Sequence, residues 1–414
     1  MYFCIPKKEK TGRMKRLIIR NIGPLKNVEI ELAKVNVIVG PQSSGKSCVL
    51  KIACYCAWVE KKIELAQSAE EFMKEDFFVK ELVRFHKLKG YFKNNSYIGY
   101  ESDYTRFSYD AETKGFQFEW KAGRWDYRRP KVSYIPAERN LVAAIPNWFD
   151  VKFYDDNIQS FMADWDRARR SYTEQLEILN LGVSYKYDEK KNTDQVEVDE
   201  DTTLELTNTS SGLQSLIPLY VHLNFISDYE NNVREAQSYS NIKIGERFLQ
   251  TMYNELFVKT GKTDEGRRKN NDVELEVKQP HSIITIARVG PYLLNFTKRE
   301  YATECQEIFK RYVETDHAEI FLEEPENNLF PPTQSRLVDW LLSKTIGEHG
   351  ACLFVATHSP YMMTAFLEKD LKDFNLFLEK REGKFSTVVT ASEKDVQEIY
   401  DDGIDVYYNI ESYT

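Results

Sequence analysis

The chain is 414 residues long, beyond the usual size of one domain, so two or three subdomains are expected. Hydrophobic residues make up 42% and charged residues 29%, a balance that excludes a disordered chain. The net charge of -9, from 56 basic and 65 acidic residues, excludes a surface that is basic throughout and leaves room only for local basic patches.

Met14 opens MKRLIIRNIGPLKN and is the expected natural start, with residues 1 to 13 a loose extension that lacks a signal-peptide core. Leu17 to Ile22 and Val28 to Leu32 read as strands around a turn at Gly23-Pro24, feeding a third strand, Val35 to Val39. Gly40, Pro41, Gln42, Ser43, Ser44, Gly45, Lys46 and Ser47 then fit G-x-x-x-x-G-K-[ST] without a mismatch, and Cys48 opens an apolar helix. Glycines let backbone N–H groups turn inward around a polyphosphate, and a helix starting near Gly45 adds the positive end of its dipole. Lys46 would reach the β and γ phosphates of ATP, and the Ser47 hydroxyl would ligate Mg²⁺.

Helical spacing runs from Ser47 to about Phe92, and alternating aromatics from Tyr97 to Tyr134 predict a small antiparallel β subdomain. Helical patterning returns after Pro136 and is clearest from Asp156 to Asn180. VSYKY and QVEVDEDTTLEL predict a hairpin with Val183, Tyr185 and Tyr187 on one face. The stretch Ser210-Ser211-Gly212-Leu213-Gln214 precedes another helix, so its hydroxyls and N–H groups could meet an anion. A mixed segment follows to about Asp316, with GKTDEGRRKNND as a loop.

AEIFLEE reads as a buried strand ending in Glu323 and Glu324, followed by a helix to about Leu342 and the strand CLFVAT, which ends at His358. Strands separated by helices fit an α/β sheet whose C-terminal strand ends carry the site. One carboxylate of the pair can hold Mg²⁺ while its neighbour orients or deprotonates water, and His358 can touch the γ-phosphate. His86, His222, His281, His317 and His349 have no such setting. Cys4, Cys48, Cys54, Cys56, Cys305 and Cys352 lack paired CxxC spacing and read as small core residues. No run approaches the roughly 18 apolar residues of a membrane span, so a cytoplasmic protein without membrane contact is expected.

The phosphate loop, SSGLQ, FLEEPENNLF and VATHSP occur in the order expected of ABC-type ATPases, and the chain resembles the branch containing SMC proteins and the OLD family. The resemblance implies an α/β, ABC-type P-loop ATPase head. Its core would be 1–95 and 316–414, with an antiparallel β subdomain at 96–135, a helical signature lobe at 136–225 and an inserted helical or mixed segment at 226–315. It further implies a homodimer at minimum, sandwiching two ATP molecules. Ser211 and Gly212 would touch the γ-phosphate bound by the other copy, within a signature formed by Ser210 to Gln214. Glu324 would be the catalytic base, Glu323 a metal ligand in place of the usual Asp, and His358 the switch histidine. Pro325 to Leu329 resemble the D-loop, Leu213 replaces the second glycine of LSGGQ, and YIPAERN resembles the segment near the Q-loop, leaving open whether Glu138 or Arg139 takes the glutamine's role.

Too little chain follows His358 for the Toprim nuclease module of OLD proteins, and Gln214 to Glu319 lacks the sustained heptads of an SMC coiled coil. Standalone ATPases of this build resemble subunits of the antiphage systems PARIS and Septu, which control a separately encoded nuclease or toxin. The alternatives are a DNA-binding repair or chromosome-maintenance ATPase and a nucleotide-gated scaffold with little turnover. Candidate DNA contacts are Arg124, Arg128 and Arg129, then Arg167, Arg169 and Arg170, then Arg267, Arg268 and Lys269, each read first as a solvated face.

Overall fold

Alternation of apolar residues builds the first hairpin: β1 (Lys15–Ile22) and β2 (Leu25–Leu32) pair antiparallel, with Leu17, Ile19, Leu25, Val28 and Ile30 inside. Gly23 makes the turn at φ 54°, where a Cβ would fall 2.3 Å from the Tyr91 ring. In β3 (Val35–Val39) Val35, Val37 and Val39 enter one core and Ile38 the other, the pattern of a strand covered on both faces. The computed structural model describes residues 15–145, 147–152, 154–228, 239–263, 285–290, 292–347, 349–369 and 371–402. Met14 and the extension before it, Cys4, His281 and the cluster Arg267, Arg268 and Lys269 lie outside the described residues.

After β3 come three helices, α1 (Lys46–Ala66), α2 (Glu70–Met73) and α3 (Phe77–Phe85), then strands β4 (Phe92–Glu101), β5 (Thr105–Asp110), β6 (Gly115–Trp120) and β7 (Pro130–Ile135). Helices α4 (Leu141–Ala144) and α5 (Asn157–Arg170) lead to the strands β8 (Leu176–Glu177), β9 (Ser184–Asp188), β10 (Thr193–Glu197) and β11 (Thr203–Glu205) of a four-stranded sheet. Helix α6 (Ser211–Ser227) follows, then α7 (Tyr239–Tyr253), the hairpin β12 (Thr285–Val289) and β13 (Tyr292–Phe296), and α8 (Arg299–Val313). The last described elements are β14 (His317–Glu323), α9 (Pro331–Ser343), β15 (Cys352–Ala356), α10 (Pro360–Leu367), β16 (Phe374–Glu382), β17 (Phe385–Thr390) and α11 (Glu393–Asp402). No described helix is long and apolar enough to cross a membrane.

Among the described residues eleven strands form one mixed sheet, in the order β6-β5-β4-β1-β2-β17-β16-β3-β15-β14-β7. The five strands β16, β3, β15, β14 and β7 run parallel, so their C-terminal ends open on one side. One core packs α1 and α3 against β1, β2, β4 and β5; the other packs α5, α6, α9 and α10 against β3, β14 and β15. A third cluster joins α7, α8, β12 and β13 to Tyr104 and Tyr127.

Four expectations differ. Helix α6 begins at Ser211, so Ser211 to Gln214 form its first turn instead of preceding it. The antiparallel strands after Tyr97 do not stand apart but extend the main sheet through β1, because Ile98, Tyr100, Phe107 and Tyr109 share the core beneath α1. KVSYI is no part of that wing: as β7 it lies at the opposite edge, parallel to β14. Helix α5 stops at Arg170 instead of running to Asn180, because Leu176 and Glu177 pair with β9.

At the other end of β14 sits a buried ionic group. Lys15 bonds Glu319, and His317 lies 3.0 Å from Asp316 and 3.5 Å from Glu319. Burial opposes charge on His317, but Asp316, Cys352 and Glu319 outweigh it and push its pKa up to about 10. A histidine raised in this way adds stability that is complete below its unfolded value of 6.5 and is lost as pH climbs through about 10. Unfolding free energy from urea titrations is therefore expected to fall across that interval, with a shallower fall in His317→Gln. An unchanged slope in the variant would contradict the assignment.

Candidate nucleotide site

The loop after β3 turns through Ser43 at φ 61° and Gly45 at φ 128°, and α1 begins at Lys46. No side chain caps this helix, and its first backbone bond runs from Val49 N–H to Gly45 O, so the N–H groups of Lys46, Ser47 and Cys48 precede the helical ladder. Two glycines are required here by space. A Cβ on Gly40 would lie 2.6 Å from Glu379 Cβ, and one on Gly45 would lie 2.6 Å from Leu25 Cδ2.

Lys46 folds back on its own loop, donating to Gly40 O at 2.9 Å and Pro41 O at 2.7 Å. Burial lowers its pKa to about 8 against the pull of Glu379, Glu324 and Glu326. Ser44 is buried and donates to Pro41 O and Glu379, whereas Gln42 and Ser43 are exposed and Ser47 is half-buried. The Cys48 side chain is buried in the core and its thiol is pushed up to about 12 by burial, so only its backbone faces the site's chemistry.

Glu323 ends β14, only 4% exposed. Its buried Oε1 has no hydrogen-bond partner and lies 3.9 Å from Lys51 Nζ. A buried carboxylate oxygen that makes no hydrogen bond and only a long ion pair with Lys51 suits a hard divalent cation, with the Ser47 hydroxyl as the second protein donor. Among the described residues no group of three or more His, Cys, Asp or Glu could hold a metal, so such an ion would depend on phosphate oxygens and water.

Glu324 leaves the strand in the left-handed region at φ 42°, its N–H bonded to Ala356 O at 2.8 Å. Its Oε1 stands 3.7 Å from His358 Nε2, and both side chains are about a third exposed. Burial and the nearby Lys46 cation lower the His358 pKa against the pull of Glu324, so the ring is neutral at neutral pH. The charge of Glu324 is thus felt at both Lys46 and His358 across the ends of β3, β14 and β15.

Ser210 caps α6, its hydroxyl accepting from Leu213 N–H at 3.4 Å, and Ser211 in the first turn is exposed. Gln214 is turned back, its amide donating to Thr207 O and Thr209 O, so it shapes the loop before the helix. The turn after Glu324 packs against this helix within the same chain. Asn328 Nδ2 donates to Ser215 Oγ at 2.9 Å, and a Cβ on Gly212 would lie 3.1 Å from Asn328 O. Glu326 accepts the His358 backbone N–H at 2.6 Å.

Beneath all of this lies Arg139, 1% exposed, in a single helical turn after β7. It donates to Ser215 O at 3.2 Å, Glu323 O at 3.0 Å, Glu324 O at 2.9 Å and Pro325 O at 3.2 Å. Of the two candidates for the glutamine's place, Arg139 is therefore committed to backbone carbonyls, and Glu138 is exposed.

Sequence reasoning missed Glu379, which is fully buried against the glycine loop. Its signal was a carboxylate at an inward position of an apolar strand, two residues after the core residue Phe377. The described basic clusters are paired within the fold to differing degrees, with Arg167 and Arg170 still half exposed. Arg124 lies over Trp120 and Trp125 and donates to Gln67, Arg128 pairs with Asp316, and Arg129 donates to Val313 O. Arg167 pairs with Asp164, while Arg169 and Arg170 pair with Asp166.

Replacing Arg139 by Met strands several buried carbonyls, so urea unfolding is expected to show a loss of about 3 kcal/mol or more. A loss under about 0.5 kcal/mol would remove Arg139 as the clamp.

No family model and no curated protein matches the chain. Among solved structures it is similar to an SMC head bound to the C-terminal winged-helix domain of ScpA, at 11% identity over 94% of this chain and 100% of that one, TM-score 0.41. It is also similar to the SMC head domain of Thermotoga maritima, at 12% identity over 92% of this chain and 100% of that one, TM-score 0.40. A third is the Pyrococcus furiosus SMC head with an extended coiled coil, bound to the C-terminal domain of ScpA. It is 10% identical over 94% of this chain and 98% of that one, TM-score 0.39.

Proposed function

We propose that the chain is an ABC-type ATP hydrolase that closes head to tail as a homodimer over two molecules of Mg-ATP. The observation that carries this reading is the convergence of Lys46, Glu324 and His358 at the ends of three adjacent parallel strands, around a glycine loop whose helix start is uncapped.

In this mechanism the polyphosphate lies along the loop, met by the N–H groups that open α1. Lys46 exchanges the carbonyls of Gly40 and Pro41 for the β and γ phosphates, and the anion restores its full charge. Ser47 and Glu323 would hold Mg²⁺, which would supply neutralisation of phosphate charge. Glu324 takes the proton of the attacking water, and neutral His358 donates from one ring nitrogen to the γ-phosphate. The second copy completes the pocket with Ser211 and Gly212, exposed and half-buried respectively in the first turn of α6. Phosphate and ADP then leave, and the pair reopens.

ATP in this scheme is a ligand that favours the closed pair. The finer reading is control of a separately encoded nuclease or toxin, with 226–315 as the partner-binding segment. It rests on the order of motifs and the resemblance they carry. Pairing of Arg124 to Arg129 and Arg167 to Arg170 within the fold lends less support to DNA binding.

Glu324→Gln is expected to slow phosphate release about 10² to 10⁴-fold while still binding Mg-ATP, whereas Lys46→Ala loses nucleotide binding. Phosphate-release and fluorescent-nucleotide assays check both. Undiminished turnover in Glu324→Gln would sink the base assignment.

A further inference from the structure

Glu379 follows Leu378, the register partner of Val39, which sets it beside Gly40 under the phosphate loop. The fit is close: a Cβ on Gly45 would lie 2.9 Å from Glu379 Oε1, Ser44 donates to Oε2, and Oε1 is buried with no hydrogen-bond partner. The groups facing it are Ser44 and Lys46 from the loop, Cys48 from α1, apolar Leu25 from β2 and, across β17, apolar Val388. Lys46 is the cation among them, and it is also the cation that an incoming polyphosphate draws away.

We propose that Glu379 is a proton-coupled positioning residue of the phosphate loop, holding it through Ser44 and taking up one proton from water as the polyphosphate of ATP enters. The step is a simple protonation: a carboxylate and a solvent proton become a carboxylic acid, with no bond made to phosphate. Its cause is repulsion. A buried anion beside the loop opposes a second anion in the loop, all the more once Lys46 has turned away. Burial has already pushed the Glu379 pKa up to about 7, against Ser44 and Lys46, so the proton is taken up at small cost near neutrality. The inference rests on the nucleotide-binding reading above and adds the coupling.

The experiment is calorimetric binding of Mg-ATP to the full chain in buffers of differing protonation heat, comparing wild type with Glu379→Gln and Glu379→Ala. Wild type is expected to take up as much as half a proton more per ATP than Glu379→Gln at about pH 7, where Lys46 is still mostly charged. Its affinity should also fall more steeply above about pH 7, by up to tenfold per pH unit. Gln keeps an acceptor for Ser44, so Glu379→Gln binds with the shallower slope; Ala removes the acceptor and weakens binding at every pH. Equal proton uptake in wild type and Glu379→Gln, or wild-type affinity in Glu379→Ala, overturns the inference alone. A wild-type chain that takes no Mg-ATP overturns the ATPase reading and this inference with it.

Discussion

The guanidinium of Arg139 is the interaction on which the site's geometry depends. A buried cation is tolerable only when its donors are satisfied, and here they are spent on carbonyls of the Glu323-Glu324-Pro325 turn and of Ser215 in α6. Burial lowers the Arg139 pKa to about 10, which Glu326, Glu324 and Glu323 counter, so the group stays charged at neutral pH. One side chain thereby ties the strand end that carries both carboxylates to the helix that carries Ser211. Movement of either element is felt by the other.

That tether explains how Glu324 keeps a left-handed backbone, which costs a non-glycine residue roughly 1 kcal/mol or more. Its N–H is bonded to Ala356 O and its C=O to Arg139, so the conformation is fixed from both sides. The carboxylate is thus presented beside His358 instead of continuing the strand. Glu326 repeats the device from the next turn, gripping the His358 backbone.

Much of this was legible in the sequence because it is local. The apolar runs of β3 and β14 and the glycine spacing of 40 to 45 each express a short-range rule, and those strands and the start of α1 fall where those rules put them. What stayed hidden is long-range. Nothing in KVSYI says that it pairs with β14 and not with the preceding aromatic strands, since either edge would bury the same residues. Glu379 carries no motif at all, and YIPAERN gives no sign of the carbonyls that Arg139 holds. Their roles come from β16 landing beside β3 and from the turn after β7 running under the acid pair, both consequences of strand order.

The central claim is that each copy completes the other's pocket, and mixing two inactive variants tests it most directly. Lys46→Ala lacks its own phosphate grip, and Ser211→Arg blocks the contact made to a neighbour. A mixed pair of the two keeps one intact pocket, built from Lys46 of one copy and Ser211 of the other. Equal mixing should therefore restore up to about a quarter of wild-type ATP turnover, if pairing is random and pockets act independently. Turnover that stays at the level of the separate variants, under conditions where the copies exchange, would contradict the account.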